Sequence, residues 1–340
     1  MCTGISMISN EGTAFLGRTQ DFNILLNHYG AMQLPRGCDI KQAIRPFNII
    51  YSILGLSFQH QGAPFYSIPD GVNEFGLSGS TQRLTDYAVY STVEEIEQAE
   101  KFPVKSGQFL LWILGNCKDT YEIEEKLTQI GIVDLTIDDK VPGEPRHFLF
   151  TDRSGRTIVV EPDKKLGFSV HENLVKAMTN SPDFKWHLTN LSNYTNLSCV
   201  DPSPKNINGF QVEVTGKGMG MSGLPGDYSS ASRFIRAAYM VNTSEVFDDE
   251  QTLTQMFHLL DNVSIPKGSI RLPEESENHQ LLFTHYSICY NLKQSELNVR
   301  FYHNQRIQRV TFSEEIAKGT EIKMYKLRQE EDIQLIEEFY

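Results

Sequence analysis

The sequence predicts an α+β fold in which antiparallel hairpins and helices occupy separate stretches of the chain. Strand-like segments with turn residues between them occur near the N-terminus, in the middle and near the C-terminus. Segments with a helical spacing of apolar residues lie between these groups, as neighbouring pairs. Because strands and helices are segregated, the pattern favours layered antiparallel sheets and argues against a repeated βαβ unit.

The strand predictions begin with a hairpin over residues 1–22, in which apolar residues flank a polar turn at 9–12. A second strand pair is expected over 146–162, with its turn at 152–155. Further strands are predicted near the C-terminus, over 285–292, 295–303 and 305–312. Strands are therefore expected from both ends of the chain and from its middle.

Helical spacing predicts helices over 108–117, 119–130, 229–242 and 249–263. Asp119 is a candidate N-cap for the second of them, because its carboxylate can accept hydrogen bonds from the first free amides of the helix. The sequence has no internal repeat, no low-complexity tract and no linker rich in Pro, Gly and Ser. We therefore expect a single domain over residues 1–340.

The charge of the chain argues against polyanionic partners. Lys and Arg total 31 against 43 for Asp and Glu, which gives a net charge of -12, and no cluster of Lys and Arg is longer than a pair. Nucleic acid and anionic membrane surfaces are therefore disfavoured, since both require concentrated positive charge. The N-terminus lacks a signal-peptide pattern, and the apolar run at 109–114 is too short to span a bilayer. We expect a soluble, cytoplasmic protein.

The cysteines and histidines give no sign of a disulfide framework or a metal site. The five cysteines are scattered and contain no C-x-x-C pair, and the nine histidines lack the spacing of metal ligands. No metal and no cofactor are expected, and His187 and His285 are predicted to be structural. Buried, inert positions are expected for four of the thiols, namely Cys38, Cys117, Cys199 and Cys289. Cys2 remains to be explained.

The predicted hairpin brings charged residues to Cys2. Antiparallel pairing about a turn near residues 10–11 places Cys2 opposite Arg18 to Gln20, with Asp21 just beyond. If Met1 is removed, Cys2 carries both a thiol and an α-amine, whose reference pKa of about 7.7–8.0 suits a general base. Arg18 can stabilise the thiolate and Asp21 can orient the amine. One residue would then serve as nucleophile and base.

Each of these residues also has an ordinary structural explanation. Arg18 and Asp21 alone are more often a solvated ion pair at the end of a strand, which contributes little to stability. A Cys2 that follows a retained Met1 would have no catalytic use. The coincidence of all three at one end of a hairpin favours an N-terminal nucleophile.

Several sequence blocks resemble those of the choloylglycine hydrolase family, whose best-known members are bile salt hydrolase and penicillin V acylase. The blocks are MCTG at 1–4, GRTQDF at 17–22, DGVNEFGL at 70–77, MTNSPDFKWHLTNL at 178–191 and GLPGDYSSASRF at 223–234. The resemblance implies an N-terminal nucleophile hydrolase with a four-layer αββα sandwich, in which two antiparallel sheets lie between helix layers. It further implies a small-molecule N-acyl amide substrate and a homotetramer.

The resemblance also assigns roles to individual residues. It implies that Cys2 is the nucleophile with Arg18 and Asp21 beside it, that Asn180 donates to the oxyanion, and that Arg233 stabilises the surrounding charges. Without it, Asn180 would be taken as a turn residue before Ser181-Pro182, and Arg233 as a surface charge. The family pattern reverses both interpretations.

Two departures from the family pattern leave the substrate open. A further oxyanion position falls on Gln82 or Arg83, and Gln20 stands where family members carry an apolar residue. Gln20 makes the acyl pocket more polar, and the RTxDF pattern resembles the penicillin V acylases more than the bile salt hydrolases. The sequence therefore slightly favours penicillin V acylase activity, with bile salt hydrolase and N-acyl homoserine lactone acylase as alternatives. The non-enzymatic alternative is a small-molecule binding protein that retains Met1.

Overall fold

The fold is known from a computed structural model, which describes residues 1–23, 29–58, 68–135, 144–273 and 281–336. The strands in chain order are β1 (Cys2–Ile8), β2 (Ala14–Phe22), β3 (Tyr29–Leu34), β4 (Asp39–Ile40), β5 (Phe47–Asn48), β6 (Ile53–Phe58), β7 (Asp70–Asn73), β8 (Ser78–Arg83), β9 (Phe102–Lys105), β10 (Ile130–Val133), β11 (Arg146–Thr151), β12 (Thr157–Lys164), β13 (Gly167–Glu172), β14 (Ala177–Met178), β15 (Lys205–Ile207), β16 (Phe210–Val212), β17 (Ile270–Arg271), β18 (Leu281–Asn291), β19 (Glu296–Phe301), β20 (Gln308–Val310) and β21 (Lys323–Lys326). The helices are α1 (Val93–Gln98), α2 (Phe109–Asn116), α3 (Thr120–Lys126), α4 (Phe184–Asn190), α5 (Ser230–Thr243), α6 (Asp249–Asp261) and α7 (Glu314–Lys318).

Two large antiparallel sheets form the centre of the molecule. The first has the strand order β14-β1-β2-β18-β19-β20, with β17 paired to β18. The second has the order β13-β12-β11-β8-β7-β6-β3-β21. Strands from both ends of the chain and from its middle meet in these sheets, as predicted.

The sheets are stacked between two helix layers. Helices α5 and α6 pack on the first sheet, against β1, β2 and β18, and α2 packs on the second sheet, against β7 and β8. One apolar core joins the first sheet, its helices and the inner face of the second sheet, and another lies between the second sheet and α2. The predicted α+β class and the αββα layering are both confirmed.

The local predictions hold with three exceptions, the first of which is the strand expected at 305–312, since only Gln308–Val310 form β20. The predicted helix at 119–130 begins after its N-cap Asp119, whose carboxylate accepts from the amides of Tyr121 and Glu122; α3 ends at Lys126, and a 3-10 helix continues it over Leu127–Gln129. The prediction was one residue too long, because Ile130 begins β10, which pairs in parallel with β9. Among the cysteines expected to be buried, Cys199 is exposed and Cys38 only partly buried, since both lie outside the sheets and helices.

The N-terminal hairpin has the predicted register. Cys2 pairs with Gln20 and Gly4 with Arg18, so these residues share one face of the first sheet. That face meets the second sheet closely, because a Cβ on Gly4 would lie 2.7 Å from Leu149 Cδ2 and 2.9 Å from Gln82 Nε2. Gly4 therefore allows the two sheets to approach beside Cys2. Within the described ranges, no helix has the length and apolarity needed to cross a bilayer.

Candidate active site

The thiol of Cys2 is held next to a buried guanidinium. Arg18 Nη2 lies 2.9 Å from Cys2 Sγ and also donates to Gln20 Oε1. Gln20 Oε1 is in turn 3.6 Å from Cys2 Sγ. Burial tends to lower the pKa of Arg18, but the negative groups around it, Cys2 first among them, raise the pKa above its ordinary value. A permanent positive charge thus faces the sulfur, which favours the thiolate.

Asp70 holds the other end of the same guanidinium. Arg18 Nη1 lies 3.1 Å from Asp70 Oδ2 and 3.0 Å from the carbonyl oxygen of Pro69. The hydroxyls of Tyr286 and Tyr290 each donate to Asp70 at 2.7 Å. Burial raises the pKa of Asp70, and Arg18 and the two hydroxyls oppose that rise. Sequence analysis missed this residue, although Asp70 opens the block DGVNEFGL that carried part of the family resemblance.

Asn180 lies on the other side of Cys2, with its amide in a defined orientation. Its Oδ1 accepts from the main-chain nitrogen of Cys2 at 2.9 Å and from Arg233 Nη2 at 2.8 Å. Because both of these groups are donors, the oxygen must face them, and Nδ2 faces the carbonyl oxygen of Arg83 at 3.0 Å. An amide nitrogen carries two hydrogens, so one remains for an oxyanion after the bond to Arg83.

Arg233 contacts the main chain of Cys2 instead of its thiol. Its Nη1 donates to the carbonyl oxygen of Cys2 and to Thr3 Oγ1, both at 2.7 Å. Its Nε donates to the carbonyl oxygen of Tyr228 at 3.0 Å, which ties the start of α5 to β1. Burial lowers the pKa of Arg233. The family resemblance found this residue, and the structure places it as a clamp on the backbone of Cys2.

Asp21 is buried at the end of β2 on the helix-facing side. Its carboxylate accepts from Thr284 Oγ1 at 2.6 Å and from Thr19 Oγ1 at 3.3 Å, and lies 3.9 Å from Arg233 Nη1. In this structure the chain carries Met1, whose nitrogen donates to the carbonyl oxygen of Asp21 at 2.7 Å. The Cys2 nitrogen is therefore a peptide amide that occupies the place of the α-amine. A contact between Asp21 and that amine stays a prediction for the processed chain.

The two oxyanion candidates occupy different positions. The side chain of Gln82 points between the sheets and donates to Ser80 Oγ at 2.9 Å, and its Oε1 has no hydrogen-bond partner in the described part of the chain. The side chain of Arg83 is exposed, but its carbonyl oxygen meets Asn180 Nδ2. The amide of Thr81 donates to Pro69 at 2.8 Å, away from β11. Main-chain amides point to alternate sides along a strand. The amide of Arg83, two residues after Thr81, therefore also points away from β11, towards Asn180.

The two histidines predicted to be structural, His187 and His285, are buried and hydrogen-bonded. His187 Nε2 donates to the carbonyl oxygen of Asn180 at 2.8 Å, and burial lowers the pKa of His187 to about 4. His285 lies 3.0 Å from the hydroxyl of Tyr29 and 3.2 Å from the carbonyl oxygen of Phe22. In the described ranges, no group of three or more His, Cys, Asp or Glu could hold a metal ion.

Comparison with known proteins identifies the family of this site. The family model described as linear amide C-N hydrolases, choloylglycine hydrolase family, matches residues 2–325. The chain belongs to the choloylglycine hydrolase family. It is accordingly a hydrolase that acts on linear amide C–N bonds, and the predicted N-terminal nucleophile hydrolase fold is the fold of this family.

Individual members of the choloylglycine hydrolase family differ in their similarity to this chain. A bile salt hydrolase/transferase from Clostridium perfringens is 33% identical over 96% of this chain and 97% of that protein. A crystal structure of a mutant conjugated bile acid hydrolase from Clostridium perfringens superposes with a TM-score of 0.88, at 30% identity, over 99% of this chain and 100% of the other. A penicillin V acylase from Pectobacterium atrosepticum is 25% identical, over 59% of this chain and 51% of that protein.

Proposed function

We propose that this enzyme hydrolyses conjugated bile salts, with Cys2 as its nucleophile. The observation that carries the proposal is the similarity to bile salt hydrolases along nearly the whole chain, whereas the penicillin V acylase above matches over about half of its own length. For this reason we propose bile salt hydrolysis in place of the penicillin V acylase activity that the sequence blocks slightly favour. Gln20, whose polar amide lies beside the thiol, keeps penicillin V as the second candidate substrate.

The proposed reaction starts from the processed chain, in which removal of Met1 converts the Cys2 nitrogen into an α-amine. Arg18 stabilises the thiolate, which attacks the carbonyl carbon of the substrate amide. The α-amine takes the thiol proton and delivers it to the leaving amine, because its pKa lies near neutrality. Asn180 Oδ1 accepts from this nitrogen and holds it in place. The product of this half-reaction is a thioester on Cys2.

The negative charge on the substrate oxygen needs donors that are already in place. We assign this role to the free hydrogen of Asn180 Nδ2 and to the main-chain amide of Arg83, which point to the same region. Gln82, which donates to Ser80, then supports the sheet interface instead of binding the oxyanion. Water finally attacks the thioester, and the α-amine serves as base again.

Substrate specificity is tested with purified enzyme on separate substrates. We expect kcat/KM for glycine- and taurine-conjugated bile salts to exceed that for penicillin V and for an N-acyl homoserine lactone. The released amino acid, 6-aminopenicillanic acid or homoserine lactone is quantified by chromatography. A preference for penicillin V would overturn the substrate proposal and leave the reaction class intact. Cys2→Ser should lose activity on every substrate, and undiminished hydrolysis would contradict the mechanism.

Whether Met1 has been removed distinguishes an active enzyme from a non-catalytic homologue. Intact-mass measurement of the purified protein should give a chain that lacks Met1. A protein that retains Met1 and hydrolyses no amide would support the small-molecule binding alternative. A protein that retains Met1 and hydrolyses amides would instead exclude the α-amine as the base.

Self-association is supported by an exposed apolar hairpin. Strands β15 and β16 pair with each other, and Ile207 and Phe210 on them are 62% and 72% exposed. We propose that this hairpin contacts a second copy within the homotetramer that the family resemblance implies. The double variant Ile207→Ser/Phe210→Ser should then have a lower mass by light scattering than the unmodified protein, with Lys205→Ser as the matched control. A cytoplasmic location likewise remains a prediction.

A further inference from the structure

The first turn of α5 holds Asn180 by its main chain and by its side chain. Ser230 Oγ accepts from the amide of Asn180 at 2.9 Å. Arg233, three residues later, donates to Asn180 Oδ1 at 2.8 Å. On the residue before Asn180, the carbonyl oxygen of Thr179 lies 3.1 Å from His147 Nε2. Asn180 therefore keeps its position only if α5 begins at a fixed place.

The orientation of Arg233 depends on the segment that leads into α5. Its Nε donates to the carbonyl oxygen of Tyr228 at 3.0 Å, whereas Nη1 reaches the carbonyl oxygen of Cys2 and Nη2 reaches Asn180. Because a guanidinium is planar and rigid, the bond at Nε also sets the directions of Nη1 and Nη2. A displaced Tyr228 would thus turn both of these nitrogens away from Cys2 and Asn180.

A second arginine, Arg236, holds this segment in place. It follows Arg233 by three residues, so the two side chains lie on the same side of α5. Arg236 Nη1 donates to the carbonyl oxygens of Pro225 and Asp227, both at 2.7 Å. Its Nε donates to the carbonyl oxygen of Asn262, where α6 ends, at 3.0 Å. One buried side chain thus joins the segment before α5, α5 itself and the end of α6.

The side chain of Asp227 fixes the same segment to the first turn of α5. Its Oδ1 accepts from the amide of Ser229 at 2.8 Å, and its Oδ2 accepts from Ser232 Oγ at 2.6 Å. Hydrogen bonds from Ser229 and Ser232 lower the pKa of Asp227 to about 2, so the carboxylate is ionised. The main chain of Asp227 is held by Arg236 and its side chain by α5. Tyr228, the next residue, is placed by both.

We propose that Arg236 is a positioning residue that holds the segment before α5, so that the carbonyl oxygen of Tyr228 orients Arg233. This role rests on the proposed function, in which Asn180 donates to the oxyanion and holds the α-amine. The hydrogen bonds of Arg236 end on main-chain oxygens of 225, 227 and 262. Its effect therefore reaches Cys2 and Asn180 through Arg233.

Hydrogen exchange followed by mass spectrometry tests the positioning without a substrate. In Arg236→Met the main-chain oxygens before α5 lose their donor, while a side chain of similar length remains. We expect the amides of Ser229 and Asn180, which both bond to this part of the chain, to exchange roughly tenfold faster than in the unmodified protein, the size of one lost hydrogen bond. Unchanged exchange at both amides would overturn the proposal.

The kinetics of two variants test whether the positioning matters for catalysis. Arg236→Lys keeps a charged donor for the segment before α5, but one ammonium cannot also hold the end of α6. We expect kcat to fall roughly tenfold in Arg236→Met and by less in Arg236→Lys. KM should change little, because the groups that Arg233 holds act in the transition state. A rise in KM at an unchanged kcat would overturn the proposal.

A double variant tests whether Arg236 acts through Arg233. When Arg233→Lys is combined with Arg236→Met, Tyr228 no longer has a guanidinium to orient. The kcat of the double variant should therefore match that of Arg233→Lys alone to within about twofold. Effects that multiply would show a separate structural role for Arg236 and would overturn the proposal. Arg236→Lys takes the place of Arg236→Met in this comparison if the latter does not fold.

Arg300→Met is the matched control, because Arg300 holds the end of α6 from β19. Its Nη2 donates to the carbonyl oxygen of Phe257 at 3.2 Å and to the carboxylate of Asp261. In this variant the exchange of both amides and kcat should stay close to those of the unmodified enzyme. Losses as large as those in Arg236→Met would overturn the proposal, since displacement of α6 would then explain them. If the unmodified enzyme hydrolyses no amide, the proposed function fails, whereas the exchange rates still decide whether Arg236 holds the start of α5.

Discussion

Two buried arginines contact Cys2 from opposite faces of the N-terminal hairpin, and their surroundings differ. On the thiol side, defined here by Arg18, Gln20 and Asp70, the guanidinium meets the sulfur at 2.9 Å and a carboxylate at 3.1 Å. On the carbonyl side, defined by Arg233 and Asn180, the guanidinium meets main-chain and amide oxygens. Its nearest carboxylate is 3.9 Å away.

The two arginines therefore serve different tasks at one nucleophile: Arg18 acts on the thiol of Cys2, and Arg233 holds its main chain. On the thiol side, a charge acts on the atom that ionises, and its carboxylate partner fixes where that charge lies. On the carbonyl side, hydrogen bonds fix the backbone of Cys2 and the side-chain amide of Asn180. These two groups determine where the α-amine and the oxyanion lie. A change on the thiol side should therefore alter the reactivity of the Cys2 thiol. A change on the carbonyl side should alter geometry at an unchanged thiol.

The largest effect on activity is expected from Arg18→Lys. A single ammonium nitrogen cannot occupy the positions of both Nη1 and Nη2, and the carboxylate of Asp70 attracts it, so the sulfur loses its direct partner. The rate of thiol alkylation by iodoacetamide at pH 7 should fall, because the sulfur loses its contact with the guanidinium. We expect kcat/KM to fall by roughly 10²–10³, as for loss of a group that stabilises charge in a transition state. An unchanged alkylation rate would contradict the role of the thiol side.

The same conservative change on the carbonyl side should give a different pattern. Arg233→Lys keeps a positive charge but cannot hold the carbonyl oxygen of Cys2, Thr3 Oγ1 and Asn180 Oδ1 together. We expect kcat to fall roughly tenfold to a hundredfold through misplacement of Asn180, at an alkylation rate close to that of the unmodified enzyme. A fall in alkylation rate as large as that of Arg18→Lys would remove the distinction between the two sides.

Asp70→Asn should change the reactivity of the Cys2 thiol in the opposite direction from Arg18→Lys. Removing the negative charge leaves Arg18 unneutralised beside Cys2, so the rate of thiol alkylation at pH 7 should rise. The free energy of unfolding should decrease by about 3–5 kcal/mol, because a buried ion pair is broken on one side. Urea unfolding and alkylation rates measure the two effects. Tyr290→Phe, which removes one hydroxyl from Asp70, is the matched control and should cost about 1 kcal/mol.

The sequence alone predicts the residues that lie close to Cys2 along the hairpin. The turn and the period of two residues along a strand place Arg18 and Gln20 on the face of Cys2. Asn180 and Arg233 are separated from Cys2 by 178 and 231 residues, and only the family resemblance brought them to the site. Local pattern does not specify contacts made by the stacking of two sheets.

Asp70 and His147, which lie on the second sheet, could likewise not be assigned to the site from local sequence pattern. Asp70 begins β7 and His147 lies in β11, and each contacts the site only because this sheet packs against the hairpin and against the chain before α4. A charged residue at the start of a buried strand is the signal that could have identified Asp70. For His147, the signal is weaker, since its partner Glu161 comes from a neighbouring strand.

The smallest effect concerns His187, which supports the carbonyl side as a neutral ring. Its folded pKa of about 4 lies below the ordinary value of 6.5, so the unfolded chain binds more protons as the pH falls below 6.5. Stability is therefore lost as the pH falls from 6.5 towards 4, by about 2 kcal/mol at pH 5 for this residue. The free energy of unfolding, measured with urea, should differ less between pH 7 and pH 5 in His187→Gln than in the unmodified protein. In His303→Gln the difference should be unchanged. If the difference is the same in both variants, His187 is not held neutral by the fold, and the carbonyl side does not depend on its protonation state.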